Sequence, residues 1–245
     1  MTESAPILEA TGIDHDYGTV SVLRDVSATV ERGRVTALIG PNGSGKTTLI
    51  RVLAGLHEPT DGEVAYNGPA TARQIGYLPQ HPAFRPGFTA LETLRFYASL
   101  VGGDETDAMA QLERIGLEDA ADRNVEALSG GMTRLLGIAQ ATIGDPPIVI
   151  LDEPGSGLDP GMRLHVFDVA STLADDGIAV LLSSHDLELV ERVADDVLIL
   201  ADGRTVEQGS TADLRERLGV ASLRPVYDEA VGGERDTVQV LGERA

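Results

Sequence analysis

The feature that most constrains this chain is a glycine-rich segment between a short apolar run and a helical pattern. It reads Gly40-Pro41-Asn42-Gly43-Ser44-Gly45-Lys46-Thr47, and Thr48 follows it. Glycines let the main chain curl so that successive N–H groups face one anion, and the helix start adds partial positive charge. The spacing is typical of a phosphate-binding loop, in which Lys46 reaches the terminal phosphates and the Thr47 hydroxyl ligates Mg²⁺. The alternative is a strand-to-helix turn that holds no ligand.

The composition of the chain supports the phosphate-binding interpretation. Lys46 is the only lysine among 19 Lys and Arg residues. An ammonium is a compact point charge, and a planar guanidinium cannot replace it in such a loop. A chain that otherwise uses arginine has therefore kept its lysine where phosphate chemistry requires one.

A second segment carries paired carboxylates. The apolar run 148–151 has the length of a parallel strand that is buried on both faces, and Asp152 and Glu153 follow it directly. Ligand sites form at the carboxyl ends of such strands. Asp152 is therefore expected to hold Mg²⁺, directly or through water, and Glu153 to polarise the attacking water. The alternative is an ordinary acidic junction between a strand and a loop.

The pattern along the chain indicates an α/β fold with a mostly parallel sheet, because short apolar runs alternate with helical periodicity. Strands are predicted at 7–14, 20–30, 35–39, 63–66, 74–78, 148–151, 178–182, 197–200 and 204–208. Helices are predicted at 46–56, 91–100, 109–115, 130–143, 161–173 and 187–194. The stretch of about 81–145 is helical throughout, which indicates an inserted subdomain. The chain after Gly219 is weakly patterned and receives no assignment.

Composition and charge exclude several classes of function. The formal net charge of −20 disfavours a nucleic-acid role, and the absence of cysteine excludes disulfides and zinc–thiolate sites. Acidity spread along the whole chain with one lysine suggests adaptation to high salt. Residues 1–9 lack the pattern of a signal peptide, and no apolar stretch approaches the roughly 18 residues of a membrane span. Any action at a membrane is therefore expected to need a partner.

A third motif narrows the family. Leu128-Ser129-Gly130-Gly131-Met132 resembles the signature sequence of ABC ATPases. Ser129 and the amides of Gly130 and Gly131, at a helix N-terminus, would form a second anion site. The alternative is an ordinary N-capped helix.

Further segments resemble elements of the ABC ATPases and occur in the same order, over about residues 5–218. Tyr17 is similar to the aromatic residue that stacks on adenine. Gln80 is similar to the glutamine that senses Mg²⁺ and faces the partner. Gly157-Leu158-Asp159 resembles the loop that crosses the dimer interface, and His185 matches the histidine that contacts the γ-phosphate.

The resemblance implies a P-loop NTPase fold with a RecA-like core, a helical subdomain at about 81–145 and an N-terminal antiparallel β-subdomain. It leaves a tail, 219–245, of unknown role. It also implies a head-to-tail homodimer with two shared ATP sites. In each site one subunit would supply Lys46, Thr47, Gln80, Asp152, Glu153 and His185, and the other Ser129, Gly131 and Asp159.

The chain departs from the family pattern at three positions. Met132 replaces the usual glutamine, Leu135 stands where arginine is common, and Gly155 replaces a frequent threonine. None of these changes removes a phosphate-binding, metal-binding or basic group, so ATP hydrolysis is expected. Met132, together with the segment 144–147, resembles the ATPases that serve ABC-2-type export permeases, and among them the copper-maturation subunit of nitrous-oxide reductase systems.

The function that the resemblance implies is a MgATP-hydrolysing subunit on the inner, cytoplasmic face of the cell membrane. Its partners would be a second copy of the chain and a transmembrane permease, which determines the cargo; no nucleic acid is expected. The alternative is a soluble ABC ATPase, such as an iron–sulfur assembly ATPase. Translation and repair ATPases fit less well, because one cassette and no sustained heptad run are present. The intact set of catalytic side chains argues against a degenerate regulator.

Overall fold

The computed structural model of the chain describes residues 5–232. Nine strands and eight α-helices form there, along with two single-turn 3₁₀ helices. The strands are β1 (Leu8–Tyr17), β2 (Val20–Val30), β3 (Val35–Ile39), β4 (Asp61–Tyr66), β5 (Ile75–Leu78), β6 (Ile148–Leu151), β7 (Ala179–Ser183), β8 (Asp196–Ala201) and β9 (Arg204–Ser210). The helices are α1 (Lys46–Leu53), α2 (Ala90–Leu100), α3 (Glu105–Arg114), α4 (Gly130–Thr142), α5 (Pro160–Asp175), α6 (Leu187–Val193), α7 (Thr211–Leu218) and α8 (Leu223–Gly232).

The strands form two sheets. The larger has the order β5-β6-β7-β3-β8-β9, with parallel pairing except between β8 and β9. The smaller is antiparallel and has the order β2-β1-β4. Gln208 on β9 donates from Nε2 to the main-chain oxygen of Thr29 on β2 at 3.1 Å, which ties the two sheets together. The expected combination of a parallel core and an N-terminal antiparallel sheet is confirmed.

The central strands of the larger sheet are buried on both faces. All five residues of β3 are buried, and their side chains alternate between two apolar clusters. Ala37 and Ile39 contribute to a cluster that also contains residues of α2 to α5, while Leu38 packs with Leu49 and Ile50 of α1. Burial on both faces explains why β3, β6 and β7 read as continuous apolar runs.

The segment between β5 and β6 is helical, as the sequence predicts. Helix α2 begins at a reciprocal cap, in which the Thr89 side chain accepts from Glu92 N–H and the Glu92 carboxylate accepts from Thr89 N–H. Asp104 and Asp107 form the same arrangement at the start of α3. The domain boundaries at 5, 81, 145 and 218 stay predictions.

The ends of several elements differ from the expectations. Helix α1 ends at Leu53 rather than at residue 56, because Gly55 turns the chain with a positive φ of 69°. Helices α7 and α8 lack a prediction altogether. Gly219, with φ 64°, ends α7, and α8 then buries Leu223, Val226 and Val231. The rest of the tail, 233–245, and residues 1–4 lie outside the described part of the chain.

Within residues 5–232, no helix has the length and apolar character that crossing a bilayer demands.

Candidate active site

The glycine-rich loop joins β3, the strand beside β7 in the large sheet, to α1. At two positions of the loop glycine is required, because atoms of other residues lie where a Cβ would be. A Cβ on Gly40 would lie 2.1 Å from the carbonyl oxygen of Leu200. Gly45, at the N-cap of α1, has a φ of 103°, and a Cβ there would lie 2.9 Å from Leu23 Cδ2. The loop therefore has the tight curl that its sequence predicts.

Lys46 is the first residue of α1 and is only 8% exposed. Its ammonium donates to the main-chain oxygens of Gly40 at 2.8 Å and Pro41 at 3.0 Å. Burial lowers the pKa of Lys46, and the charges of Glu153 and Asp152 partly oppose that shift. The ammonium is thus held against the loop by neutral carbonyls, and a phosphate could take their place.

Asp152 lies at the carboxyl end of β6 and is 1% exposed. Its Oδ1 accepts from Ser183 Oγ at 2.9 Å and from Thr47 Oγ1 at 3.4 Å. The carboxylate and the two hydroxyls form a set of oxygen atoms beside the loop. Mg²⁺ prefers oxygen ligands and takes only one or two from protein side chains when phosphates supply others, so the set fits the ion.

Glu153, next in the chain, has its main chain in the left-handed region with φ 48°. Its N–H donates to Ser183 Oγ at 2.8 Å. Its Oε2 lies 3.0 Å from Nδ1 of His185, a side chain that is 63% exposed. The structure therefore brings Glu153, the expected base, into direct contact with the expected histidine, His185. Ser183 contacts the main chain of Glu153.

Of these side chains, those of Lys46, Thr47 and Glu153 line one cleft of about 520 Å³. The residues that line it are Val22, Asn42, Gly43, Gly45, Lys46, Thr47, Thr48, Gln80 and Glu153. Gln80 follows β5 and faces the glycine-rich loop across this cleft. Positively charged Lys46, the Thr47 hydroxyl and the Glu153 carboxylate can together hold an anionic phosphate chain and a water at its end.

The residues assigned to the partner's half of the site do not line this cleft in the described part of the chain. Ser129 and Gly130 are exposed at the start of α4, where Ser129 Oγ accepts from Met132 N at 3.3 Å. Gly131 packs against α5, and a Cβ there would lie 2.4 Å from Met162 Cγ. Asp159 is exposed and caps α5 by accepting from Met162 N at 3.0 Å. The signature segment and the Asp159 loop are therefore neighbours on the surface.

Tyr17 is also exposed and lies outside the cleft lining, at the end of β1. Its hydroxyl lies 3.1 Å from His57 Nδ1, and its ring meets the rings of His57 and His15 edge to face. The Tyr17 ring therefore packs against the rings of two histidines. No sequence motif points to His15 or His57, because isolated histidines have no diagnostic spacing.

Two residues with direct contacts to this machinery have no predicted role. Ser183 donates to Asp152 and accepts from the main-chain N–H of Glu153. In the sequence, the only indication of a role for Ser183 is its place two residues before His185, in Ser183-Ser184-His185. Arg134 is buried in α4 and donates to the main chain of Gln80. In the sequence, the only indication of a role for Arg134 is that it is a basic residue in an otherwise apolar helical stretch.

Comparison with known proteins gives the family. Residues 23–156 match the family model described as ABC transporter. The Nod factor export ATP-binding protein I of Cupriavidus pinatubonensis is 34% identical over 249 residues, which cover 97% of this chain and 77% of that protein. The linearmycin resistance ATP-binding protein LnrL of Bacillus subtilis is 34% identical over 224 residues, which cover 87% of this chain and 72% of that protein.

A solved structure of the ATP-binding subunit of an ABC transporter has the same fold. It superposes with a TM-score of 0.80 at 34% sequence identity, and the match covers 91% of this chain and 99% of that chain. The expected ABC ATPase fold is therefore confirmed. The chain belongs to the ABC transporter family, and it is one of the family's ATP-binding, ATP-hydrolysing subunits.

Proposed function

We propose that two copies of this chain bind and hydrolyse MgATP between them and so power a membrane exporter. The observation that carries the proposal is the separation of the site into two halves. Lys46, Thr47 and Glu153 share one cleft, while Ser129 and Asp159 lie exposed on another part of the surface. A second copy in head-to-tail orientation would bring its signature segment over the cleft.

Within one protomer, each polar group has a defined task in holding the nucleotide. The ammonium of Lys46 and the main-chain N–H groups of residues 40–48, except Pro41, would bind the phosphates, and Tyr17 would stack on the adenine. Thr47 Oγ1 and Asp152 Oδ1 would hold Mg²⁺, with Gln80 as a further oxygen ligand. The ion, when bound, neutralises phosphate charge as the terminal phosphoryl group leaves.

The hydrolytic step depends on Glu153 and His185. The Glu153 carboxylate would orient a water for in-line attack on the γ-phosphorus and accept its proton, while the bond from the γ-phosphorus to the β–γ bridging oxygen breaks and ADP leaves. His185 Nδ1, 3.0 Å from Glu153 Oε2, fixes the direction of the carboxylate and leaves its exposed ring available to the γ-phosphate. The second copy would supply Ser129, Gly130 and Gly131 as anion donors, and Asp159 as an interface contact.

The exporter part of the proposal comes from the relatives. One is named for Nod factor export and another for linearmycin resistance. By analogy this chain would bind a transmembrane permease at the cytoplasmic face of the cell membrane. Neither name refers to copper, so the copper-related hypothesis stays a prediction.

An affinity-tagged chain purified from detergent-solubilised membranes tests this proposal. A multi-span permease should co-purify in stoichiometric amount, and ATP hydrolysis should be recovered with it. The control is the same purification from the soluble fraction of the same cells. Recovery of soluble proteins alone from both fractions would contradict the transport role and favour a soluble ABC ATPase, such as an iron–sulfur assembly ATPase.

A further inference from the structure

Arg134 is a buried residue beside the site that has no assigned role in ATP binding or hydrolysis. It lies in the second turn of α4 and is 6% exposed. Its Nη1 donates to the main-chain oxygen of Gln80 at 2.5 Å and to that of Pro79 at 3.4 Å. Its Nη2 donates to the main-chain oxygen of Ser156 at 3.3 Å. One guanidinium therefore bonds two separate loops that flank the ATP cleft.

The charge of Arg134 is not explained by packing. Within residues 5–232, no carboxylate forms an ion pair with it. Burial lowers the pKa of Arg134, and the charges of Asp152 and Glu153 partly oppose that shift. A buried charge is costly, and the hydrogen bonds that Arg134 donates to the two loops must offset that cost. The neighbours on the helix, Leu135 and Leu136, are apolar. The guanidinium therefore has a specific contact to make, the joining of these two loops.

The two loops that Arg134 bonds carry residues assigned to both halves of the ATP site. Gln80 lines the cleft, and Ser156 lies between Glu153 and Asp159. The Ser156 N–H in turn donates to the Glu153 main-chain oxygen at 3.0 Å. Helix α4 starts at the signature residue Ser129. A displacement of α4 would therefore reach the Gln80 loop and the Glu153–Asp159 segment through one side chain.

We propose that Arg134 is a positioning residue for ATP hydrolysis. It fixes the Gln80 and Ser156 main chains relative to the signature helix, so that the glutamine, the base and the interface loop take up their places together. The inference rests on the proposed function. It adds a residue that touches neither nucleotide nor water and acts through the loops that do.

The test compares Arg134→Met with Arg73→Met. Arg73 is the control, because it is a partly buried arginine whose hydrogen bonds within residues 5–232 also go to main-chain oxygens, those of Gln140 at 2.8 Å and Ile143 at 3.2 Å. Burial lowers the pKa of Arg73 as well. It bonds the end of α4 and contacts neither Gln80 nor Ser156.

For Arg134→Met we expect kcat for ATP hydrolysis to fall about 10- to 100-fold, the effect of a small misplacement of catalytic groups. The Kd for ATP should stay within about twofold, since the variant leaves Lys46 and Thr47 untouched. Arg134→Lys should recover part of kcat, because an ammonium reaches fewer of the three carbonyls. If the Met variant does not fold, the Lys variant provides the same comparison. Arg73→Met should keep kcat within about twofold.

Two results would overturn the inference. One is a kcat for the Arg134 variants within twofold of the original chain, or reduced no more than in Arg73→Met. The other is a loss of ATP affinity as large as the loss of kcat, which would indicate a general structural role. If the unmodified chain fails to hydrolyse ATP, or Glu153→Gln hydrolyses it normally, the proposed function itself fails and the inference with it.

Discussion

At the scale of single residues, the site depends on one strained junction. Glu153 adopts φ 48°, a region that residues with a Cβ enter at an energetic cost. Ser183 Oγ stabilises it by accepting from Glu153 N–H at 2.8 Å and donating to Asp152 Oδ1 at 2.9 Å. One hydroxyl therefore bonds both the carboxylate of Asp152, the proposed metal ligand, and the main chain of Glu153, the proposed base.

Removal of the Ser183 hydroxyl should lower the rate of ATP hydrolysis much more than the affinity for ATP. In Ser183→Ala the Glu153 N–H and Asp152 Oδ1 both lose a buried partner, so we expect kcat to fall about 10- to 100-fold. ATP affinity should change less, because Lys46 is not involved. Steady-state kinetics and equilibrium ATP binding check this. Ser184→Ala is the control, since within residues 5–232 that hydroxyl accepts from the Asp186 N–H and bonds neither Asp152 nor Glu153; equal losses of kcat in both variants would refute the role of Ser183.

A pH dependence follows from Lys46. Burial lowers its pKa below the ordinary 10.5, so the unliganded site loses its ammonium at a lower pH than an exposed lysine does. Phosphate binds the charged form, and the affinity for ATP should therefore fall as pH rises through that lowered pKa. Titration of the ATP Kd across alkaline pH checks this, with Lys46→Met as the variant that has no ammonium to titrate and should lack this pH dependence. An affinity that stays constant up to pH 10.5 would contradict the assignment.

At the scale of elements, the predictable parts were those with strong periodicity and full burial. The bounds of β6 were predicted to the residue, because four apolar residues end at paired carboxylates. Helix α8 was missed, because only three of its ten residues are buried, too few to give a clear pattern even though they lie on one helix face. The contacts of Ser183 and Arg134 could not be predicted, because they join segments that are distant in sequence and meet only in the folded chain.

Asp159 has two roles: it caps helix α5, and it is expected to contact the second copy at the proposed interface. Its side chain caps α5 by accepting from Met162 N–H. Asp159→Ala should lower the free energy of unfolding by about 1 kcal/mol, whereas Asp159→Asn keeps a good cap and should leave it nearly unchanged. Urea denaturation measures the difference. If the Asn variant were destabilised as much as the Ala variant, the capping explanation would be wrong.

At the scale of the whole molecule, charge is the dominant feature. A formal net charge of −20 on 245 residues produces self-repulsion that salt screens. We expect the unfolding midpoint to rise by several degrees between low salt and molar KCl, where 1 kcal/mol corresponds to about 2–4 °C at this size. Thermal unfolding at a series of KCl concentrations checks this. Equal stability at low and molar salt would refute the high-salt hypothesis.

The central claim, that two copies of the chain share each ATP site, also belongs to this scale. The most direct test is Glu153→Gln, which keeps the shape of the side chain but removes the base. With MgATP this variant should bind nucleotide, fail to hydrolyse it and migrate as a dimer holding two ATP molecules, as measured by light scattering and nucleotide content. Adding Lys46→Ala should abolish the dimer. Turnover at the original rate, or a variant that stays monomeric with ATP bound, would contradict the account.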